Sequence, residues 1–370
     1  MTIRSSCWPV PHELLTAARE LLVEVTARGG RVLVAPHGDA DGLGAGAITI
    51  EAIRRMGGVP IPMLPGKGEH VHTEAMRRRL SENPAEALVV LDMGSRRGPI
   101  VPGLPTIVLD HHDAAEAPDG VIFLSAAGHE PVATTGLLAY LLFAPIAPIA
   151  DLAWLALVAT VGDLGADHPF TEELGEVAAR YPKTHVRETV SMINAARRAA
   201  AYQPEVALAV LLAAHEPADI ARARVPGVER LQACRAEVTA EVNRVARIPP
   251  RIVNDVALIR FSSGAQIHPL IATRWTGRLA PKIVLVANDG YLPGRVNFAM
   301  RSASDVDLLG YLRGLGLGTV EGEFANGHPR ATGGSVPPHE FQRLLQAIGF
   351  PPPRRAAREV MSRESGGTAR

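Results

Sequence analysis

The chain has 370 residues, room for two domains of ordinary size, and its 47% apolar content is that of a globular protein. Its 38 basic residues balance 38 acidic ones, so no global field draws in nucleic acid, although a local basic groove is not excluded. Cys7 and Cys234 fit neither a zinc spacing nor a disulfide framework, and no basic segment followed by an apolar one marks a signal peptide. The most apolar stretch, 132–161, is interrupted by Pro145, Pro148 and Asp151, so it reads as buried helices and not as a membrane span. The expectation is a cytoplasmic protein without a membrane segment.

In chain order, Leu14–Ala27 has helical spacing and stops at Gly29-Gly30. Arg31–Ala35 is a predicted strand, Gly42–Met56 a small-residue helix ended by Gly57-Gly58, and Val59–Leu64 a second strand. A helix over Met76–Asn83 is followed by strands at Ala87–Leu91, Thr106–Leu109 and Val121–Leu124. Strands alternating with helices at these lengths predict a parallel α/β sheet, which gathers ligands at the carboxyl ends of its strands. Helices follow over Thr134–Leu142 and Asp151–Val161. From Thr171 to Arg247 the pattern is almost wholly helical, with breaks near Pro182, Pro204, Pro217 and Pro226 and a connecting helix over Val228–Arg247. Beyond Pro249-Pro250, strands at Val256–Phe261, Lys282–Ala287 and Arg295–Met300 and helices at Leu270–Arg278 and Val306–Leu312 predict a second, smaller α/β domain ending near Phe350. The tail has little to bury and is expected to be disordered.

Four apolar runs end in groups that bind metals or carry protons: His37-Gly38-Asp39-Ala40-Asp41, Asp92, Asp110-His111-His112-Asp113 and Asp163. A lone aspartate after a strand is more often a cap or a turn residue. Four such endings with compatible ligands, at the edge where ligands gather, point instead to a dinuclear metal site. Two divalent cations about 3.5–4 Å apart hold a phosphate, supply hydroxide and neutralise a leaving oxygen. They repel one another, so several carboxylates are needed, one of them bridging. His37, Asp39, Asp41, Asp92, His111 and Asp163 offer four carboxylates and two imidazoles, a mixed shell that suits manganese better than magnesium. The glycines between Gly42 and Gly46 lack a phosphate-loop lysine and read as a close-packing surface. Arg77-Arg78-Arg79 reads as a solvated helix face.

These four motifs, in this order and spacing, resemble those of the DHH phosphoesterase superfamily, in its RecJ-like form with a single residue between His37 and Asp39. Asn297–Ser302, followed by Asn326–Ser335, is similar to the DHH-associated C-terminal domain, although Ala325-Asn326 stand where that family carries more glycine. The resemblance implies a DHH domain with the metal site over 1–170, a helical region and connecting helix over 171–250, a substrate-binding domain over 251–350 and a tail over 351–370. It implies that His37 and Asp39 bind one metal, Asp41, His111 and Asp163 a second, and that Asp92 bridges them. His112 then faces the substrate phosphate, Asp110 supports the histidines, and Arg301, Gly327, His328, Gly333 and Gly334 hold the substrate.

The function expected is a phosphodiesterase with two divalent ions, manganese first and magnesium as the alternative. Its substrates are short single-stranded oligonucleotides or small nucleotides. The alternatives are a RecJ-like 5′ single-strand exonuclease acting with partners and a non-catalytic scaffold of nucleic-acid complexes. Retention of every ligand position counts against the scaffold. A homodimer is left open.

Overall fold

The computed structural model describes residues 11–93, 96–112, 117–321, 323–328 and 330–351. Cys7, Asp113 and the tail beyond 351 lie outside them. The chain divides into two units, residues 1–237 and 238–370, and the division falls within one helix.

The first unit is an α/β layer structure. Its elements are α1 (His12–Ala27), β1 (Arg31–Pro36), α2 (Ala40–Arg55), β2 (Val59–Pro62), α3 (Glu74–Ser81), β3 (Ala87–Leu91), β4 (Thr106–Asp110), β5 (Ile122–Ser125), α4 (Thr135–Phe143) and α5 (Ala153–Leu164). The helices α6 (Thr171–Ala178), α7 (Lys183–Arg198), α8 (Pro204–Ala213) and α9 (Pro217–Ala221) follow, and α10 (Val228–Val245) carries the chain into the second unit. Each helical break falls at an expected proline: Pro182 precedes α7, Pro204 and Pro217 open α8 and α9, and Pro226 precedes α10.

The five strands are all parallel, in the order β2-β1-β3-β4-β5. Both faces of the sheet are covered, which is why its strands are apolar without a polar alternation. Val32 and Val34 face one core with Leu22, Leu43 and Leu137, while Leu33 and Ala35 face a smaller one with Met76, Leu80 and Val90. The chain leaves β1 in one direction to β2 and returns on its other side as β3. The crevice between the ends of β1 and β3 is therefore the topological switch point, where such sheets bind ligands.

Helix α2 has thirteen of its sixteen residues buried, and apart from Thr49 its polar residues lie toward its two ends. Its small residues let α4 and α5 approach closely. A Cβ on Gly44 would lie 3.1 Å from that of Ala159, and one on Gly136 of α4 would lie 2.3 Å from it. The Gly42–Gly46 stretch is thus a packing surface, as its composition predicts.

The second unit is built on a mixed six-stranded sheet, ordered β10-β11-β9-β8-β7-β6. Its strands are β6 (Arg251–Val253), β7 (Val256–Phe261), β8 (Ile283–Asn288), β9 (Val296–Arg301), β10 (Glu323–His328) and β11 (Ala331–Val336), with helices α11 (His268–Thr276), α12 (Leu308–Gly314) and α13 (Pro338–Ile348). Three of these strands and α13 are absent from the sequence reading. β6 is too short for a period, and β10 and β11 (EFANGH and ATGGSV) carry turn-forming asparagine and glycine where a strand pattern needs β-branched residues. Arg77 and Arg79 also depart from expectation. They are half-buried loop ties, to the carbonyl of Ile100 and to Glu69 with the carbonyl of Leu64, and only Arg78 is fully exposed.

Candidate metal centre

The loop after β1 carries His37 and then Asp39, which caps α2 by accepting the N–H of Gly42 at 3.2 Å. Asp41 lies in the first turn of α2, where the partial positive charge of a helix start favours a carboxylate. The ladder continues past β3: the N–H of His37 donates to the carbonyl of Leu91, and that of Asp92 to the carbonyl of Leu109, each at 2.9 Å. This holds Asp92 between the ends of β1 and β4. Asp110 closes β4, and His111 and His112 follow it directly. Asp163 comes from the last turn of α5, inside the helix and not beyond it.

These side chains meet in two groups within ligand distance, His37 with Asp39 and Asp92, and Asp41 with His111 and Asp163, and a third, Asp92 with His111 and His112, overlaps them. Asp92 joins them. Its Oδ2 lies 3.2 Å from Nδ1 of His37, and its Oδ1 lies 3.2 Å from Nε2 of His111. His37 Nδ1 is also 3.0 Å from Asp39 Oδ2. His111 Nε2 is 3.1 Å from Asp163 Oδ2 and 3.6 Å from Asp41 Oδ2.

The electrostatics of this cluster suit groups that could hold a cation. Nε2 of His111 is buried among three carboxylates, yet makes no hydrogen bond among the described residues. Burial works against its charged form, but Asp163, Asp92 and Asp41 overcome it and push the imidazole up to about 12. His37, against the same burial, is pushed up to about 10 by Asp39 and Asp92. Burial, followed by repulsion from Asp92 and Asp163, lifts Asp41 well above the ordinary carboxylate range. Asp39, though buried, is held well below that range by His37 and Arg197. Buried carboxylates crowded on two imidazoles are a costly arrangement for a merely structural network. The same donors fit divalent metals, which take mixed oxygen and imidazole shells.

The polar groups around the ligands are ordered as well. Both oxygens of Asp41 accept backbone N–H groups at the start of α4, from Thr135 at 2.8 Å and Gly136 at 2.7 Å, and the Thr135 hydroxyl donates to Asp92 Oδ1 at 3.2 Å. Asp110 takes no part in either ligand group. Its Oδ1 accepts from the N–H groups of His111 and His112 and lies 2.8 Å from Nδ1 of His112. That contact fixes the ring of His112, whose side chain is half exposed, and with burial opposing, Asp110 raises its pKa.

Sequence reasoning missed Thr135, Asn194 and Arg197. Asn194 accepts the N–H of Ala40 at 3.0 Å. Arg197 places Nη1 3.3 Å from Nε2 of His37 and Nη2 3.8 Å from Asp39, while its Nε is buried without a partner among the described residues. The only signal was an arginine pair at the end of an amphipathic helix, which usually means a solvated helix terminus. His168 is buried apart from both ligand groups.

In the second unit, Arg301 ends β9 opposite Ala331 of β11, which in turn pairs with His328 of β10, so the three share one row of the sheet. Gly327 pairs with Thr332. Gly333 and Gly334 lie in β11 opposite Ala299 and Phe298 of β9. A Cβ on Gly333 would meet the carbonyl oxygen of Phe298 at 2.5 Å, so strand packing by itself demands this glycine.

No protein-family model and no curated protein sequence matches this chain. Solved structures do. A manganese complex of RecJ from Thermus thermophilus superposes with a TM-score of 0.71 at 21% identity, over 95% of this chain and 57% of that one. The present chain thus spans little more than half of that protein. A structure described as exonuclease RecJ bound to manganese gives 0.68 at 21% identity, over 94% of this chain and 97% of that one. A DHH domain described as a member of the s1p family of ribosomal proteins gives 0.67 at 15%, over 94% and 93%. The chain shares the fold of these RecJ and DHH-domain structures. No helix among the described residues is long and apolar enough to cross a membrane.

Proposed function

We propose that this chain is a phosphodiesterase that binds two manganese ions, with magnesium as the weaker alternative, and hydrolyses short single-stranded oligonucleotides or small nucleotides in the cytoplasm. The observation that carries this reading is Asp92, which presents one carboxylate oxygen to the His37 group and the other to the His111 group. His37 and Asp39 would hold one ion, Asp41, His111 and Asp163 the other, with Asp92 between them. Bound ions would supply a hydroxide near neutral pH and offset charge on the phosphate. Residues 1–170 would form the metal-binding domain and 251–350 the substrate-binding one, with the helices of 171–250 between them.

The remaining roles follow from the residues themselves. Asp110 holds Nδ1 of His112, leaving Nε2 as the atom that donates to a phosphate oxygen or protonates the leaving alkoxide. Arg301 can grip a phosphate with two parallel N–H donors, which lysine cannot. His328, with Gly327, Gly333 and Gly334, would complete the substrate contacts on the strand row it shares with Arg301.

A second reading, a RecJ-like 5′ exonuclease on long single strands, is favoured by the match to nearly the full length of a structure described as exonuclease RecJ. The full chain with manganese should be offered 5′-labelled dinucleotides, a long single strand, cyclic dinucleotides and pyrophosphate. The proposal expects complete cleavage of the shortest oligonucleotides, and Asp92→Asn should abolish it. Laddering of the long strand from its 5′ end selects the second reading. No cleavage with any of several metals, together with unchanged metal content in Asp92→Asn, contradicts both.

A further inference from the structure

The two ligand groups differ in charge. Besides Asp92, which they share, the His111 group holds two carboxylates, Asp41 and Asp163, and the His37 group holds one, Asp39. The His37 group also faces a cation. Arg197 places Nη1 3.3 Å from Nε2 of His37 and Nη2 3.8 Å from Oδ2 of Asp39. Among the described residues, no arginine or lysine is ion-paired with Asp41, Asp92 or Asp163.

Arg197 is held in this place. It stands in the last turn of α7, and its side chain is only 20% exposed. Asn194 of the same helix ties it to the site by accepting the N–H of Ala40 at 3.0 Å. The loop after β1 packs closely on it as well. A Cβ on Gly38 would lie 3.3 Å from Cδ of Arg197 and 3.4 Å from the hydroxyl of Tyr202, so a side chain at that residue would crowd the arginine. Arg198 adds a second positive charge that forms no ion pair among the described residues. Burial, followed by repulsion from Arg197, brings its guanidinium down to about 10 against the pull of Asp39.

A divalent ion held by His37 and Asp39 would therefore meet a fixed positive charge, and one held by Asp41, His111 and Asp163 would not. Between like charges a few ångströms apart, in a partly buried site where water screens poorly, the repulsion is worth about tenfold or more in affinity. The same guanidinium is a charge-assisted donor for an oxyanion. An oxyanion on Arg197 would cancel the repulsion, so the anion and the ion at His37 would strengthen one another, by the same factor in each direction.

We propose that Arg197 makes the two metal sites unequal. The Asp41, His111 and Asp163 group fills first, and the His37 and Asp39 group takes its ion weakly until an oxyanion, such as the phosphate of a substrate, engages the guanidinium. This rests on the two-metal phosphodiesterase reading and adds a regulatory property to it, a centre completed by the arrival of substrate.

The test reads metal and not turnover. Manganese is titrated into the full chain, with the free ion followed by its EPR signal. The parent should bind two ions in steps whose Kd values differ by about tenfold or more. Asp39→Asn should weaken the weaker step and leave the stronger one. Arg197→Gln keeps a donor toward His37 and loses the charge, so it should tighten the weaker step about tenfold and leave the stronger one in place, whereas Arg197→Lys should keep the two apart. Sulfate, whose manganese salt is soluble, should tighten the weaker step in the parent and not in Arg197→Gln. Two equal steps in the parent, or a weaker step unchanged in Arg197→Gln, overturns the inequality. Loss of both steps together in Arg197→Gln also overturns it, since Arg197 would then serve only to hold the fold. Sulfate acting alike on the parent and on Arg197→Gln overturns the linkage to the anion. In each of these cases two ions are still bound by the parent and the phosphodiesterase reading stands, whereas a parent that binds no manganese overturns both.

Discussion

Asp92 occupies a left-handed backbone conformation, φ 68°, that aspartate tolerates better than most residues but that still costs about 1–3 kcal/mol. From that conformation its two oxygens reach two imidazoles on different strands. Asparagine accepts the same backbone state, so Asp92→Asn should keep the fold and relieve the repulsion that lifts Asp41. The expected result is a folded chain whose metal-free melting temperature stays near the parent's, because the relief of Asp41 and the lost attraction to His37 and His111 oppose one another, with hydrolysis abolished. A lower melting temperature would mean that Asp92 serves the fold instead. Ala325 is the other instructive residue. Its φ of 57° lies at the register shift in β10, where the family resemblance calls for glycine. Ala325→Gly should stabilise the second unit by about 0.5–1 kcal/mol in denaturant titration, the left-handed strain removed less the added entropy of glycine. Arg197 tests the part of the site that sequence did not reveal. Replacing it with alanine removes the cation beside His37 and Asp39 and should raise KM about tenfold for phosphorylated substrates, the worth of one charged hydrogen bond.

The elements divide into those whose residues announce them and those whose residues do not. The strands β1, β3 and β4 are apolar runs that stop in acid or histidine, so their type, and the gathering of acids and histidines at their ends, could both be read directly. Asp163 was legible as a candidate ligand but not as part of α5, since the expected helix ended at Val161. In the structure Gly162 is dictated by packing, since a Cβ there would lie 2.8 Å from that of Ala40. The strands β10 and β11 carry the glycines and asparagine of a loop, and what makes them strands is long-range pairing with β9, which no local pattern records. Arg197 was invisible for the same reason: it comes to His37 across 160 residues of chain. The tight junction of α2, α4 and α5 is the element on which ligand placement depends. Gly136→Val drives a side chain into Ala159 and displaces the N–H groups that hold Asp41, so it should cost about 1–3 kcal/mol and weaken manganese binding together. In the second unit, the pair formed by Arg244 and the Ser263 hydroxyl brings Glu241 of α10 down to about 2. A depressed carboxyl stabilises the folded state fully above its unfolded pKa of about 4.5 and progressively less as pH falls toward 2. Acid titration of Glu241→Gln should therefore lack that part of the acid limb.

At the scale of the whole molecule, the proposed metal ligands reside in the first unit and Arg301, Gly327 and His328, proposed to hold substrate, in the second, so the two proposed roles are open to separate measurement. Metal should stabilise the first unit by about 2.7 kcal/mol for each site whose Kd manganese exceeds a hundredfold. The central claim is that Asp92 joins two metal-binding groups, and the direct measurement is the manganese content of the full chain at equilibrium, by titration calorimetry with elemental analysis. Two ions per chain in the parent, and a loss of binding in Asp92→Asn that parallels its loss of hydrolysis, is the predicted result. A parent that retains no manganese, or an Asp92→Asn chain that still holds two ions with parental affinity, would contradict it.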